Sequence, residues 1–226
     1  MSGIAGGANA RDALALYDAY RDRIDTGDLI GFRGGPPLSW VLRSTHVGIA
    51  IRDRANDTVL LWESCPRTGL KDAVLGIHKS GVQLVELGPK LAAYNGQAWV
   101  RRLAPSLSDE QRTDFGRIRQ ELHGRSYETN PIEFCGAIVK WVDLIRSYDS
   151  AALFCSELAA RTYIEWGVLS RRRPPDKYSP DDFLPGEWLP TLGLYTFGAP
   201  VCLRMGRKSP DDSPLTDDRP EIDCAM

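Results

Sequence analysis

The chain has 226 residues, of which 42% are hydrophobic and 26% charged, and its formal net charge is −2. A chain of this length can bury one substantial core, and its near-neutral charge argues against a nucleic-acid partner. No run reaches the roughly 20 apolar residues of a transmembrane helix, so we expect no integral membrane segment. The first residues, MSGIAGGANARDA, lack the basic start and apolar stretch of a secretion signal, which predicts synthesis in the cytoplasm.

The first half of the chain predicts one helix followed by a set of strands. Apolar residues at helical spacing predict a helix from Asn9 to about Ile24, and a helical turn is expected from Leu38 to Leu42. Short β-rich runs bounded by turn residues predict five strands, namely Leu29 to Phe32, His46 to Ile51, Thr58 to Glu63, Val82 to Leu87 and Ala98 to Leu103.

After Pro105 the apolar spacing changes from strand to helix. Ser108 and Gln111 form a capping-box pattern, and Gly124 is placed to end that helix. Two more helices are expected, followed by a last strand: Pro131 to Ile145, Phe154 to Trp166, and Leu194 to Leu203. This order predicts a single α+β domain, with a small antiparallel sheet packed on helices.

The domain is expected to span residues 27–207. Residues 1–26 form an N-terminal helical extension, and residues 208–226 form an acidic tail rich in Pro and Asp. Such a composition buries too little apolar surface to fold, so the tail is predicted to be disordered.

The five cysteines show no paired spacing. There is no CxxC motif, and the three histidines lack an HExxH or similar ligand pair. We therefore expect no metal and no other cofactor, and reduced thiols as in a cytosolic protein.

A histidine opens one of the predicted strands. In the run from His46 to Ile51, alternation places the larger apolar residues on one face and His46, Gly48 and Ala50 on the other. The two small neighbours leave room beside the imidazole for another group. The alternative is a surface histidine at a strand end.

Glu63 is a candidate partner for this histidine. If the hairpin turns at Arg54-Ala55, His46 lies directly opposite Glu63, whereas a turn at Asn56-Asp57 moves the pair out of register. A carboxylate beside an imidazole holds one tautomer and raises its basicity. The alternative for Glu63 is a solvated position at the end of an apolar strand.

Cys155 stands where a helix is predicted to begin. There a thiolate would face unpaired backbone N–H groups and the positive end of the helix dipole, which lowers the pKa of a thiol. The same N–H groups can stabilise an oxyanion. The alternative is a buried cysteine acting as a small apolar residue, and this alternative suits mid-helix Cys135 well.

Six short motifs in this order resemble the permuted papain-like proteins of the NlpC-type superfamily, in particular the YiiX-like branch. They are GDLIGF from Gly27, STHVGIAI, the apolar strand ending at Glu63, GRSYE around Tyr127, FCSELAA, and YSPDDFL from Tyr178. In that family the catalytic histidine precedes the cysteine in sequence. The lecithin–retinol acyltransferase branch usually has a second histidine where this chain has Glu63, which favours the YiiX-like side.

The resemblance implies a catalytic domain with Cys155 as nucleophile, His46 as general base and Glu63 as the residue that orients the histidine. Tyr127 matches a tyrosine near the family's active site, although an aromatic residue packed beneath the sheet is the alternative. The expected substrate is peptide-like or acyl, and peptidoglycan stem peptides are one candidate class.

Several functions agree with this sequence. The first is hydrolysis of amide bonds through a thioester, and lipid acyl hydrolysis or acyl transfer is the alternative enzyme. A non-catalytic binding module of a larger assembly is the alternative of another class. Many bacterial relatives act outside the cytoplasm, so a chain without a signal would need delivery by a phage particle or a specialised secretion system.

Overall fold

The computed structural model describes residues 7–34, 44, 46–65, 69–123, 155–184 and 189–205, with side chains from residue 14 onward. Several expectations lie outside these residues. They are the helical turn at 38–42, the helix stop at Gly124, the helix at 131–145 and the tail at 208–226.

The sheet has six strands, all antiparallel, in the order β4-β3-β2-β1-β5-β6. The strands are β1 (Leu29–Gly34), β2 (His46–Asp53), β3 (Thr58–Cys65), β4 (Gly81–Glu86), β5 (Gly96–Ala104) and β6 (Thr196–Arg204). All six predicted strands are present, and the predicted α+β class with an antiparallel sheet on helices is confirmed.

Helices cover both faces of the sheet. One face carries α1 (Gly7–Tyr20) and α2 (Leu87–Ala93), while the other carries α3 (Asp109–Leu122) and a helix, α4, whose described part is residues 155–165. Tyr17 of the predicted N-terminal extension belongs to the core of the first face. Within the described ranges, none of the helices is both long enough and apolar enough to cross a bilayer.

The expected alternation of β2 is confirmed. Val47, Ile49 and Ile51 pack with α3 and α4, whereas Ala50 packs in the cluster on the α1/α2 face. Successive strand residues point to opposite faces, so His46 belongs to the α1/α2 side.

The hairpin register differs from the expectation. Asp53 pairs with Thr58 and Ile49 with Trp62, so the turn is centred on Ala55-Asn56 rather than on Arg54-Ala55. The same register continued along the strands places Gly48, not His46, opposite Glu63. The expected direct pairing of His46 and Glu63 is therefore wrong by two residues. A shift of two keeps both side chains on one face, where they are diagonal neighbours.

The predicted capping box of α3 is confirmed. Ser108 Oγ accepts from the Gln111 N–H at 3.2 Å, and the Gln111 Oε1 atom accepts from the Ser108 N–H at 2.8 Å. Gln111 Nε2 also donates to the carbonyl oxygen of Trp166, which follows α4, and so links the two helices of this face.

The close packing of Trp99 on Gly31 gives a stability prediction. A methyl group at Gly31 would lie 2.4 Å from the buried Trp99 ring, so Gly31→Ala should lower the free energy of unfolding by about 2 kcal/mol. At Gly116 in α3, no heavy atom lies within 4 Å of the position that an added methyl group would take. Gly116→Ala should therefore raise the free energy of unfolding by up to about 1 kcal/mol. Chemical denaturation of both variants measures the difference, and equal effects would contradict this packing.

Candidate active site

His46 lies at the end of the sheet where β2 begins. It pairs with Phe32 of β1, and the two rings are 5.4 Å apart between centroids. Ser44 Oγ donates to the carbonyl oxygens of Phe32 at 3.3 Å and His46 at 3.4 Å. These contacts hold the backbone just before the strand.

The imidazole contacts the predicted carboxylate. His46 Nε2 is 2.7 Å from Glu63 Oε2, while 14% of the histidine side chain and none of the glutamate side chain is exposed. The long glutamate side chain spans the diagonal between the two strands. Since Nε2 is engaged by Glu63, Nδ1 is the nitrogen left for another group.

Glu63 has two further donors. Lys90 of α2 places its Nζ 2.8 Å from both carboxylate oxygens, and Gln83 Nε2 of β4 donates to Oε1 at 3.1 Å. Burial by itself would raise the pKa of Glu63, but attraction to Lys90 and the hydrogen bond to His46 lower it to about 2. The carboxylate is therefore ionised at neutral pH, although it is fully buried.

Cys155 reaches the same imidazole. Its side chain hydrogen-bonds to His46, and it is not part of a disulfide. Burial would lower the pKa of His46, but Coulombic attraction to Cys155, this hydrogen bond and Glu63 together raise it to about 10. The histidine thus favours its protonated form between a thiol on one side and a carboxylate on the other.

The segment from Tyr178 to Phe183 links the two halves of this cluster. The Ser44 N–H donates to Asp181 Oδ1 at 2.7 Å, next to the start of β2. Ser156, the residue after Cys155, donates through Oγ to the Tyr178 carbonyl oxygen at 2.5 Å. The YSPDDFL motif therefore contacts the chain beside both His46 and Cys155.

The other predicted residues have different outcomes. Tyr127, Cys135 and Cys224 lie outside the described residues. Cys65 ends β3 at a half-buried position. Cys202 is in a disulfide, so the expectation of reduced thiols is wrong for this residue.

Sequence reasoning missed Lys90, Gln83 and Asp181. Lys90 lies in α2, a helix of only seven residues that contains Gly88 and Pro89 and therefore lacks helical spacing over a useful length. Gln83 interrupts the otherwise apolar start of β4, and this buried polar residue was the available sign that a polar partner lies nearby.

A polar cavity of about 470 Å³ lies at the opposite end of the sheet, by the β2–β3 turn. Arginines and aspartates line it, including Arg52 and Asp57, which pair with each other at 3.1 Å. It includes none of the residues around His46. In the described part of the chain no group of three or more His, Cys, Asp or Glu side chains could hold a metal ion.

The sequence matches no protein-family model, and no curated protein resembles it closely enough to count as a match.

The buried Lys90–Glu63 pair gives a prediction about acid stability. Glu63 stabilises the fold above its unfolded pKa of about 4.5, and this contribution is lost as the pH falls towards 2. Lys90→Met removes the strongest partner of a buried carboxylate, so the pKa of Glu63 rises and acid unfolding begins at a higher pH. At pH 7 we expect Lys90→Met to lower the free energy of unfolding by about 3 kcal/mol.

Lys177→Met is the matched control, because Lys177 pairs with Asp176 on the surface, where both side chains are more than half exposed. Lys177→Met should lower the free energy of unfolding by less than about 0.5 kcal/mol. Urea denaturation at several pH values measures both variants. A Lys90→Met protein with the stability and acid midpoint of the control would contradict the role assigned to Lys90.

Proposed function

We propose that the protein is a cysteine hydrolase that cleaves amide bonds through Cys155, His46 and Glu63. The observation that carries the proposal is a single imidazole in contact with both a thiol and a buried carboxylate. This is the arrangement of an activated nucleophile, in which a base takes the proton and a third group orients the base.

The reaction follows from these groups. His46, which favours its protonated form, holds the proton given up by the Cys155 thiol, and the sulfur attacks the substrate carbonyl carbon to form a tetrahedral oxyanion. When the intermediate collapses, the C–N bond breaks, His46 protonates the leaving amine, and a thioester remains on Cys155. Water, deprotonated by His46, then attacks the thioester and releases the acid and the thiol. Backbone N–H groups near the start of α4 would stabilise the oxyanion in both steps.

Glu63 and Lys90 support the role of His46 in this scheme. The ionised carboxylate holds the Nε2 side of the ring, so Nδ1 faces the sulfur and carries the transferred proton. It also stabilises the imidazolium that forms when the thiol is deprotonated. Lys90 and Gln83 keep the carboxylate ionised and in place without touching the reacting atoms.

The substrate class comes from the motif order. We infer a permuted papain-like fold of the NlpC-type superfamily, with the YiiX-like branch as the nearest resemblance and peptide-like amides as the substrates. An antiparallel sheet with the histidine on a strand and the cysteine on a later helix agrees with this inference. Peptidoglycan stem peptides are the first class to test.

Alkylation of Cys155 tests the nucleophile. At pH 6 an iodoacetamide probe should label Cys155 ahead of Cys65, because the Cys155 side chain hydrogen-bonds to the imidazole of His46. His46→Ala should slow labelling of Cys155 about tenfold or more and leave Cys65 unchanged. Since Cys155 is only 1% exposed, the probe also reports local opening of the site.

Peptide mapping by mass spectrometry assigns the label. Equal and slow modification of both thiols in the wild type and in His46→Ala would overturn the proposal.

Product analysis tests the reaction. The wild type should release an amine from muropeptides, and Cys155→Ala should reduce the rate about 10⁴-fold or more, because the nucleophile is lost. Phospholipid substrates, analysed in parallel by the same method, test the alternative acyl chemistry. Full turnover in Cys155→Ala would refute the assigned nucleophile.

A further inference from the structure

A short apolar loop protrudes between β3 and β4. We use the name apolar loop for residues 73–77, which have the sequence AVLGI. Val74, Leu75 and Ile77 are 47%, 48% and 56% exposed, so three large aliphatic side chains within four positions face solvent. Single exposed aliphatic residues are normal on a protein surface, but a contiguous group of this kind marks an interaction site.

The apolar loop is held in place by a buried carboxylate at its base. Asp72 accepts hydrogen bonds from the N–H groups of Val74 and Leu75, at 2.9 and 2.8 Å, and from Leu84 of β4 at 3.1 Å. His123 Nε2 lies 2.8 Å from the same carboxylate. Within the loop, the Gly76 N–H donates to the Asp72 carbonyl oxygen at 2.8 Å. The exposed side chains are thus presented by an ordered backbone.

The apolar loop is attached to β4, the strand next to the one that carries Glu63. The Ala73 N–H donates to the carbonyl oxygen of Leu84, so the loop is attached along the edge strand β4. The residue before Leu84 is Gln83, whose side chain donates to Glu63. The loop is therefore attached to β4 one residue along the strand from Gln83, whose side chain contacts the Glu63 carboxylate.

The charges around the apolar loop have one sign. Lys71 is exposed on one side of the loop, and Lys79 is partly exposed on the other. Asp72 is the only acid among residues 69–80, and its side chain is fully buried, with its charge taken up by backbone N–H groups and His123. A ligand that approaches the loop meets aliphatic side chains flanked by cationic groups and no exposed carboxylate of this segment.

We propose that the apolar loop docks the protein on an anionic lipid surface. Aliphatic side chains on an exposed loop can enter the interfacial region of a bilayer, while flanking lysines contact anionic headgroups. A protein partner would need a matching pocket, and the flanking lysines without an exposed carboxylate in this segment favour the anionic lipid. The proposal goes beyond the catalytic function and stands without it, since no residue of the Cys155–His46–Glu63 cluster belongs to the loop.

Cosedimentation with vesicles tests the proposal on the full chain. Vesicles of phosphatidylglycerol and phosphatidylcholine should bind the protein, and pure phosphatidylcholine vesicles should bind it at least about tenfold less tightly. The triple variant Val74→Ser, Leu75→Ser, Ile77→Ser should weaken binding to the anionic vesicles by at least about thirtyfold. Lys71→Glu should weaken binding to the anionic vesicles less than the triple variant does, and should reduce the salt dependence of this binding.

The matched control is Leu192→Ser with Leu194→Ser. These leucines are 42% and 86% exposed, next to the start of β6 at the opposite end and edge of the sheet. This variant should bind the anionic vesicles like the wild type. Circular dichroism and thermal melting of both multiple variants should match the wild type, because all the replaced side chains are solvent-facing.

Two outcomes would overturn the proposal: a wild type that ignores anionic vesicles, and a triple variant that binds them as tightly as the control. A wild type that instead forms a dimer dissolved by the triple variant would assign the loop to a second copy of the chain. Cys155→Ala should bind vesicles normally, so loss of catalysis and loss of docking are measured separately.

Discussion

The arrangement around Glu63 depends on keeping a fully buried carboxylate ionised. An unpaired charge in a protein interior is strongly unfavourable, and removing one partner of a buried pair is costly. Here the donors come from three separate elements: His46 from β2, Gln83 from β4 and Lys90 from α2. The Glu63 carboxylate on β3 therefore links β2, β4 and the short helix α2. The orientation of the His46 imidazole depends on the packing of all these elements. Both the stability of this end of the sheet and the chemistry proposed for it depend on the same contacts.

Two neighbouring contacts bring the sulfur to this imidazole. His46 belongs to the α1/α2 side of the sheet, whereas Cys155 packs with the core of the α3/α4 side, and the two meet at the end of the strands. The segment around Tyr178 and Asp181 bridges the chain next to each of them. Arg173 supports that segment, since it pairs with Asp182 at 2.9 Å and lies 4.3 Å above the Tyr178 ring. Arg173, the last residue of the basic run 171–173, therefore has a packing role.

The apolar loop is attached to β4, the strand whose Gln83 contacts Glu63, and this has a consequence for substrates. If the loop rests on a bilayer, the histidine and cysteine operate close to the lipid surface, where acyl chains and membrane-proximal peptides are both concentrated. The shared anchor is β4, in which Gln83 contacts Glu63 and Leu84 contacts Asp72. A rigid attachment of this kind would keep the distance between surface and site constant. Docking would then act on substrate supply without altering the geometry of the reacting groups.

The sequence by itself determined the strand positions, the alternation of β2 and the capping of α3. These depend on local periodicity and on short-range hydrogen bonds, which are visible within a few residues of chain. Only the tertiary structure decided the register of the β2–β3 hairpin, because turns at Arg54-Ala55 and at Ala55-Asn56 are both locally acceptable and cross-strand packing selects one. It also decided the contacts of Lys90 and Asp181, which lie 27 and 137 positions from their partners in the chain. The meeting of His46 with Cys155 is of the same kind: the sequence supplied a thiol and an imidazole, and packing on the two faces of one sheet brought them together.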